Sequence, residues 1–212
     1  MARRLPVYLL LDVSGSMTGE PIAAVQNGVQ TMVSALMSDP QALETAYLSV
    51  ITFSNSAQQI VPLTELNQFT PPELFASGLT AMGEALSLVA QCAEREVVKN
   101  TPETKGDWKP LVFIMTDGCP TDDITKGLAE FKKRKWGIVV ACAAGSGADK
   151  DELSKITEAV VSLDTADSAS IAAFFKWVSA SVSTSSKSVG NQNKEPSGLD
   201  QLPPPPPEIQ IL

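Results

Sequence analysis

The apolar run Val7-Tyr8-Leu9-Leu10-Leu11 stops abruptly at the carboxylate of Asp12. It is too short to span a membrane and matches a central strand covered on both faces, as in parallel sheets. Apolar residues at Ile22, Val25, Val29, Met32, Val33 and Leu36 then follow helical spacing, and the pattern ends near Asp39-Pro40. Residues 47–53 read as a second strand, 54–56 as a turn and 58–61 as a short edge strand in a hairpin with it. Prolines at positions 71 and 72 predict the start of a short helix over 71–75, because a missing N–H costs little there. Helical spacing resumes over 82–98, and residues 99–109 form a polar connection.

Residues 110–118 repeat the opening theme, with Leu111-Val112-Phe113-Ile114-Met115 running into Thr116-Asp117-Gly118. A helix over 122–134, a strand over 136–143, a helix near 149–157, a strand over 159–163 and a helix over 168–184 complete the alternation. This order predicts a doubly wound α/β fold. Its sheet should be mostly parallel with one short antiparallel edge strand, and helices should cover both faces. From Lys187 the composition shifts to Ser, Gly, Asn, Gln and Pro, with five prolines at 203–207. The expected organisation is one domain over 1–186 and a proline-rich tail over 187–212, a flexible linker leading into a polyproline II arm. Ile209 and Ile211 alternate as in a strand able to augment a sheet edge, so the tail is expected to dock on a protein surface.

Composition narrows the function. The 212 residues suffice for one α/β core, and the 43% hydrophobic content is that of a globular chain. No stretch approaches the ~20 apolar residues of a membrane helix. Arg3-Arg4 before an apolar run imitates a signal peptide, but Asp12 interrupts the run, and a cytoplasmic location is expected. A net charge of −8 has the wrong sign for tracking nucleic acid. The absence of histidine removes Ser-His-Asp and Cys-His mechanisms and His-ligated zinc. Cys92, Cys119 and Cys142 lack CxxC spacing and read as reduced packing residues.

What remains is oxygen chemistry at strand ends. Asp12, Ser14 and Ser16 follow one strand, with Gly15 expected to permit a tight turn that aims both hydroxyls at the carboxylate's position. Asp117 ends a second strand at the same edge if the two run parallel, and Thr80 lies in the loop Gly78-Leu79-Thr80 before a helix. Open α/β sheets bind ligands at that carboxyl edge. Oxygen donors without sulfur or imidazole suit a hard cation, Mg²⁺ or Mn²⁺.

These three separated motifs resemble those of a von Willebrand factor A (vWA) domain with a metal-ion-dependent adhesion site (MIDAS). The resemblance covers about residues 5–185. It implies that Ser14 and Ser16 ligate the metal directly, Thr80 directly or through water, and Asp12 and Asp117 mostly through waters and hydrogen bonds. Residues 79–86 and 108–123 further resemble bacterial TerY-type proteins of tellurium-resistance and stress-response loci. That resemblance implies a cytosolic protein–protein interaction module with kinase and phosphatase partners.

The enzymatic alternative is a Mg²⁺-dependent phosphatase of the haloacid-dehalogenase type, which also begins at a strand-terminal Asp. That chemistry needs a second Asp two residues later to protonate the leaving group, and Ser14 stands there. Lys109 and Lys126 are the side chains that would face a phosphoryl group. The expectation is therefore a non-catalytic module whose metal is completed by a Glu or Asp of a partner protein.

Overall fold

The computed structural model describes residues 3–191 and 194–212. Its centre is a seven-stranded sheet of order β3-β2-β1-β4-β5-β6-β7. The strands are β1 (Leu5–Asp12), β2 (Ala46–Phe53), β3 (Ala57–Glu65), β4 (Leu111–Thr116), β5 (Ile138–Ala144), β6 (Val160–Leu163) and β7 (Ile209–Ile211). Strands β2, β1, β4, β5 and β6 run parallel, while β3 and β7 pair antiparallel at the two edges. The helices are α1 (Glu20–Met37), α2 (Pro40–Thr45), α3 (Met82–Glu96), α4 (Ile124–Lys132), α5 (Lys150–Ile156) and α6 (Ser168–Asn191). The predicted doubly wound α/β class is what the chain adopts.

All eight residues of β1 are buried, and their alternation divides the core into two layers. Leu5, Val7, Leu9 and Leu11 pack with Val25, Val29 and Met32 of α1 and Phe174, Phe175 and Val178 of α6. Tyr8 and Leu10 face the opposite layer, with Leu86 and Val89 of α3, Phe131 of α4 and Leu153 of α5. Fully burying one Leu side chain is worth ~1.5–3 kcal/mol, so this continuous apolar strand anchors both layers. The chain leaves β1 toward β2 on one side and finds β4 on the other. The reversal of strand order therefore falls between the carboxyl ends of β1 and β4, the position at which open α/β sheets bind ligands.

Several local expectations need correction. Residues 71–75 are not helical. Gln26 of α1 takes their backbone groups instead, its Nε2 donating to Pro72 O at 2.7 Å and its Oε1 accepting Leu74 N–H at 2.8 Å. The short helix α2, capped by Asp39 with Pro40 in its first turn, follows α1 immediately and was not expected. The predicted four-residue edge strand is the nine-residue β3.

The largest difference concerns the C-terminal segment. Helix α6 continues to Asn191, and Lys187, placed by composition in a linker, pairs with Asp39 at 3.1 Å. The proline run then lies along the protein's own surface, with Trp177 Nε1 donating to Pro203 O at 2.8 Å. It delivers β7 onto β6 in the register Leu163↔Ile209 and Val161↔Ile211. The alternation of Ile209 and Ile211 does mark a strand that augments a sheet edge, and the sheet is the chain's own. A second antiparallel edge strand thus joins the one expected.

Candidate metal centre

Asp12 is the last residue of β1 and only 1% exposed. Both of its carboxylate oxygens are engaged: Oδ1 accepts the Ser14 N–H at 2.8 Å and Oδ2 accepts the Thr116 hydroxyl at 2.5 Å. The Ser14 and Ser16 Oγ atoms lie 3.0 Å apart, and Ser16 Oγ donates to Asp117 Oδ1 at 2.7 Å. One hydrogen-bonded chain therefore links Asp12, Ser14, Ser16 and Asp117 across the ends of β1 and β4.

Thr80 enters from the loop before α3. Ser16 Oγ and Thr80 Oγ1 flank the same point, each 3.9 Å from where a side chain on Gly118 would begin. The absence of a side chain at Gly118 keeps that space clear. The Thr80 backbone is fixed to the loop after β4, its N–H donating to Thr121 Oγ1 and its carbonyl accepting Thr121 N–H, both at 3.0 Å. All five residues singled out from the sequence thus meet at one edge.

The glycines act differently from expectation. Gly15 has no left-handed backbone; its role is close approach, with its N–H donating to Gly78 O at 2.9 Å and an added Cβ falling 3.3 Å from that oxygen. Gly78, by contrast, is left-handed, at φ 79°. An added Cβ there would lie 2.5 Å from Asn55 Oδ1, which also accepts the Leu79 N–H at 3.0 Å. The turn after β2 thereby sets the Thr80 loop.

Electrostatics give the site its character. Burial pushes the Asp12 carboxyl above the ordinary range for aspartate; hydrogen bonds from Ser14 and Thr116 pull it back, and nearby Asp117 raises it further. Among the described residues neither Asp12 nor Asp117 has an ion-pair partner. Two carboxylates and three hydroxyls, with no basic side chain to balance them, suit a hard divalent cation. Among the described residues no three His, Cys, Asp or Glu side chains are placed to hold a metal ion together, so a site here draws on the hydroxyls.

Three further residues support the site, and none is marked by its sequence position. Thr116 was seen only as part of a motif, yet its hydroxyl is what joins the two strand ends. Asp122 falls inside the helix expected over 122–134, but its carboxylate accepts the Gly83 and Glu84 N–H groups of α3 at 3.0 and 2.9 Å. Helix α4 is capped by Asp123 instead. Asn55 looked like an ordinary turn residue. Each contact links segments distant in sequence, so no local spacing signals it.

Cys119 is exposed in the loop after β4, its Sγ 3.7 Å from Gly147 O, which corrects its reading as a packing residue; Cys92 and Cys142 are buried as expected. Lys109 precedes β4 and so stands at the opposite end of the strand from Asp117. No helix among the described residues is long and apolar enough to cross a membrane.

The von Willebrand factor type A domain family model matches residues 7–176. An uncharacterized protein of Synechocystis sp., sll0103, is 32% identical over 123 residues, which cover 55% of this chain and 26% of that protein. A von Willebrand factor type A protein from Catenulispora acidiphila superposes with a TM-score of 0.64 at 17% identity, over 87% of this chain and 44% of the other. Proximal thread matrix protein 1 of the mussel byssus, in a structure with a zinc-occupied MIDAS motif, gives 0.58 at 20% identity, over 84% and 45%. The pilus adhesin SpaC of Lactobacillus rhamnosus GG gives 0.66 at 16% identity, over 86% and 30%. The chain thus spans about a quarter of its curated relative and less than half of each of these solved chains.

Proposed function

Since the chain belongs to the von Willebrand factor type A domain family, we propose that it is a metal-dependent protein–protein interaction module whose ion is held by Asp12, Ser14, Ser16, Thr80 and Asp117. The observation that carries this reading is the convergence of those five residues at the carboxyl edge of the sheet, where Ser16 is exposed and Asp12 and Asp117 have no ion-pair partner among the described residues. Mg²⁺ or Mn²⁺ is the proposed resident, because every donor is a hard oxygen. The bound ion supplies Lewis acidity toward an incoming carboxylate. Asp12 and Thr116 hold the strand ends, while Ser14, Ser16 and Thr80 present neutral oxygens that leave positive charge for a partner's Glu or Asp.

The module is not itself a catalyst in this reading. Ser14 occupies the position a phosphatase would give to a general acid, and its hydroxyl is engaged with Ser16. Lys109 is too far along the sheet to meet a phosphoryl group at Asp12. The partners we propose are the kinase and phosphatase of a bacterial tellurium-resistance or stress-response system, in the cytoplasm, as the TerY-type stretches 79–86 and 108–123 suggest. Capture of such a partner on the immobilised protein, in Mg²⁺ and in EDTA, tests the reading. Binding should vanish with EDTA and with Thr80→Ala or Asp117→Ala. Equal capture without metal, or metal-dependent phosphate release by the purified protein, would overturn it.

A further inference from the structure

The opposite end of the sheet carries a second feature. A trough of about 910 Å³ opens beside the amino end of β4, between the last turns of α3 and α4 and the connection before β4. Six cationic and four acidic side chains line it. Two of the acids are ion-paired. Glu94 pairs with Lys99 and Arg134, and Asp107 pairs with Arg4 and accepts the Val98 N–H. Glu130 accepts from Ser87, and Glu195 accepts the Lys109 N–H at 2.8 Å; both donors are neutral, so these two carboxylates keep their charge. Among the described residues Arg95, Lys109, Lys133 and Lys135 have no carboxylate within ion-pair distance. Six cations against four acids leave the lining of this concavity net positive, on a chain of net charge −8.

We propose that this trough binds an acidic peptide segment of a partner protein. Charge complementarity selects the sign, since a local positive field on an acidic protein attracts anions to that place. The rest of the lining selects a peptide over a nucleotide. Trp108 is 4% exposed and lies beneath the Arg3 guanidinium at 3.7 Å, so its ring offers no free face for a base. Val97, Val98 and Pro110 supply apolar wall instead, and Val98 is 54% exposed. A segment with several Glu or Asp and one apolar residue fits both parts. The trough and the metal edge lie at opposite ends of the sheet's central strands, of which the eight-residue β1 is about 26 Å long at ~3.3 Å per residue. If the metal edge acts as proposed above, a step that rests on that reading, the domain holds two acidic partners end to end.

The test is fluorescence anisotropy of a labelled ten-residue oligoglutamate peptide with the full chain at low salt, in EDTA. Binding is expected without metal, to weaken steeply by 0.5 M NaCl, and to fall at least tenfold in Lys133→Glu/Lys135→Glu. Lys176→Glu, a charge change on α6, and Asp12→Ala should leave it within twofold. Absence of binding, an equal loss in Lys176→Glu, or binding of inorganic triphosphate but not of the peptide would overturn the proposal. Peptide binding that requires Mg²⁺ and is lost in Asp12→Ala would also overturn it and would assign the acid to the metal edge instead.

Discussion

The Thr116 hydroxyl donates to Asp12 Oδ2 at 2.5 Å, joining the carboxyl ends of β1 and β4 at the reversal of strand order. Thr116 is completely buried and Asp12 nearly so, which makes this bond the floor of the site. Replacing Thr116 by Val leaves a buried carboxylate oxygen without its donor, at a cost of about 1–3 kcal/mol. Chemical denaturation should show that loss, Mn²⁺ affinity should fall with it, and Thr116→Ser should restore both.

Helix α3 has no side-chain cap of its own at Ala81, and Asp122 supplies one from the loop after β4. Asp122→Ala should destabilise the protein by about 1 kcal/mol, the usual value of an N-cap. Because α3 follows directly on Thr80, the amides of residues 79–84 should exchange faster. Unchanged exchange there would show that the contact does not position the loop.

At Asp39 burial raises the carboxyl pKa, but Lys187 and the N–H groups of Ala42 and Gln41 more than offset it, so the folded value is lowered. A depressed carboxylate contributes stability above its unfolded pKa of about 3.9, and the contribution disappears as pH falls through the lower folded value. The stability difference between wild type and Asp39→Asn should therefore be constant from pH 5 to 7 and shrink below about pH 4. A difference that grows on acidification would contradict the assigned sign.

Ile209 is 4% exposed on the last strand, and Leu212 N–H donates to Val160 O at 3.0 Å. Removing residues 203–212 should cost roughly 1.5–3 kcal/mol, the value of one buried Ile. Hydrogen exchange at β6 should accelerate. Equal stability and equal exchange would mean that β7 is detached in solution.

Much of this architecture is legible in the chain because it is local. The run ending at Asp12 and its echo at Asp117 announce two buried strands and their polar ends, and helical spacing marks α1 and α3. Helix α2 was legible too, in Asp39 followed by Pro40, but an expected helix stop obscured it. What stayed hidden depends on partners distant in sequence. Gln26 straightens the segment that its prolines suggested was helical, and Asp122 caps a helix other than its neighbour. The polar, proline-rich tail looked like linker because its order comes from Trp177, Lys109 and the free edge of β6. Composition carries no trace of such contacts.

The most direct test of the metal reading is calorimetric titration of Mn²⁺ into the wild-type protein and into Asp12→Ala, with circular dichroism to establish that both are folded. One saturable site in the wild type and none in the folded variant is the predicted result. Unchanged binding in Asp12→Ala would contradict it.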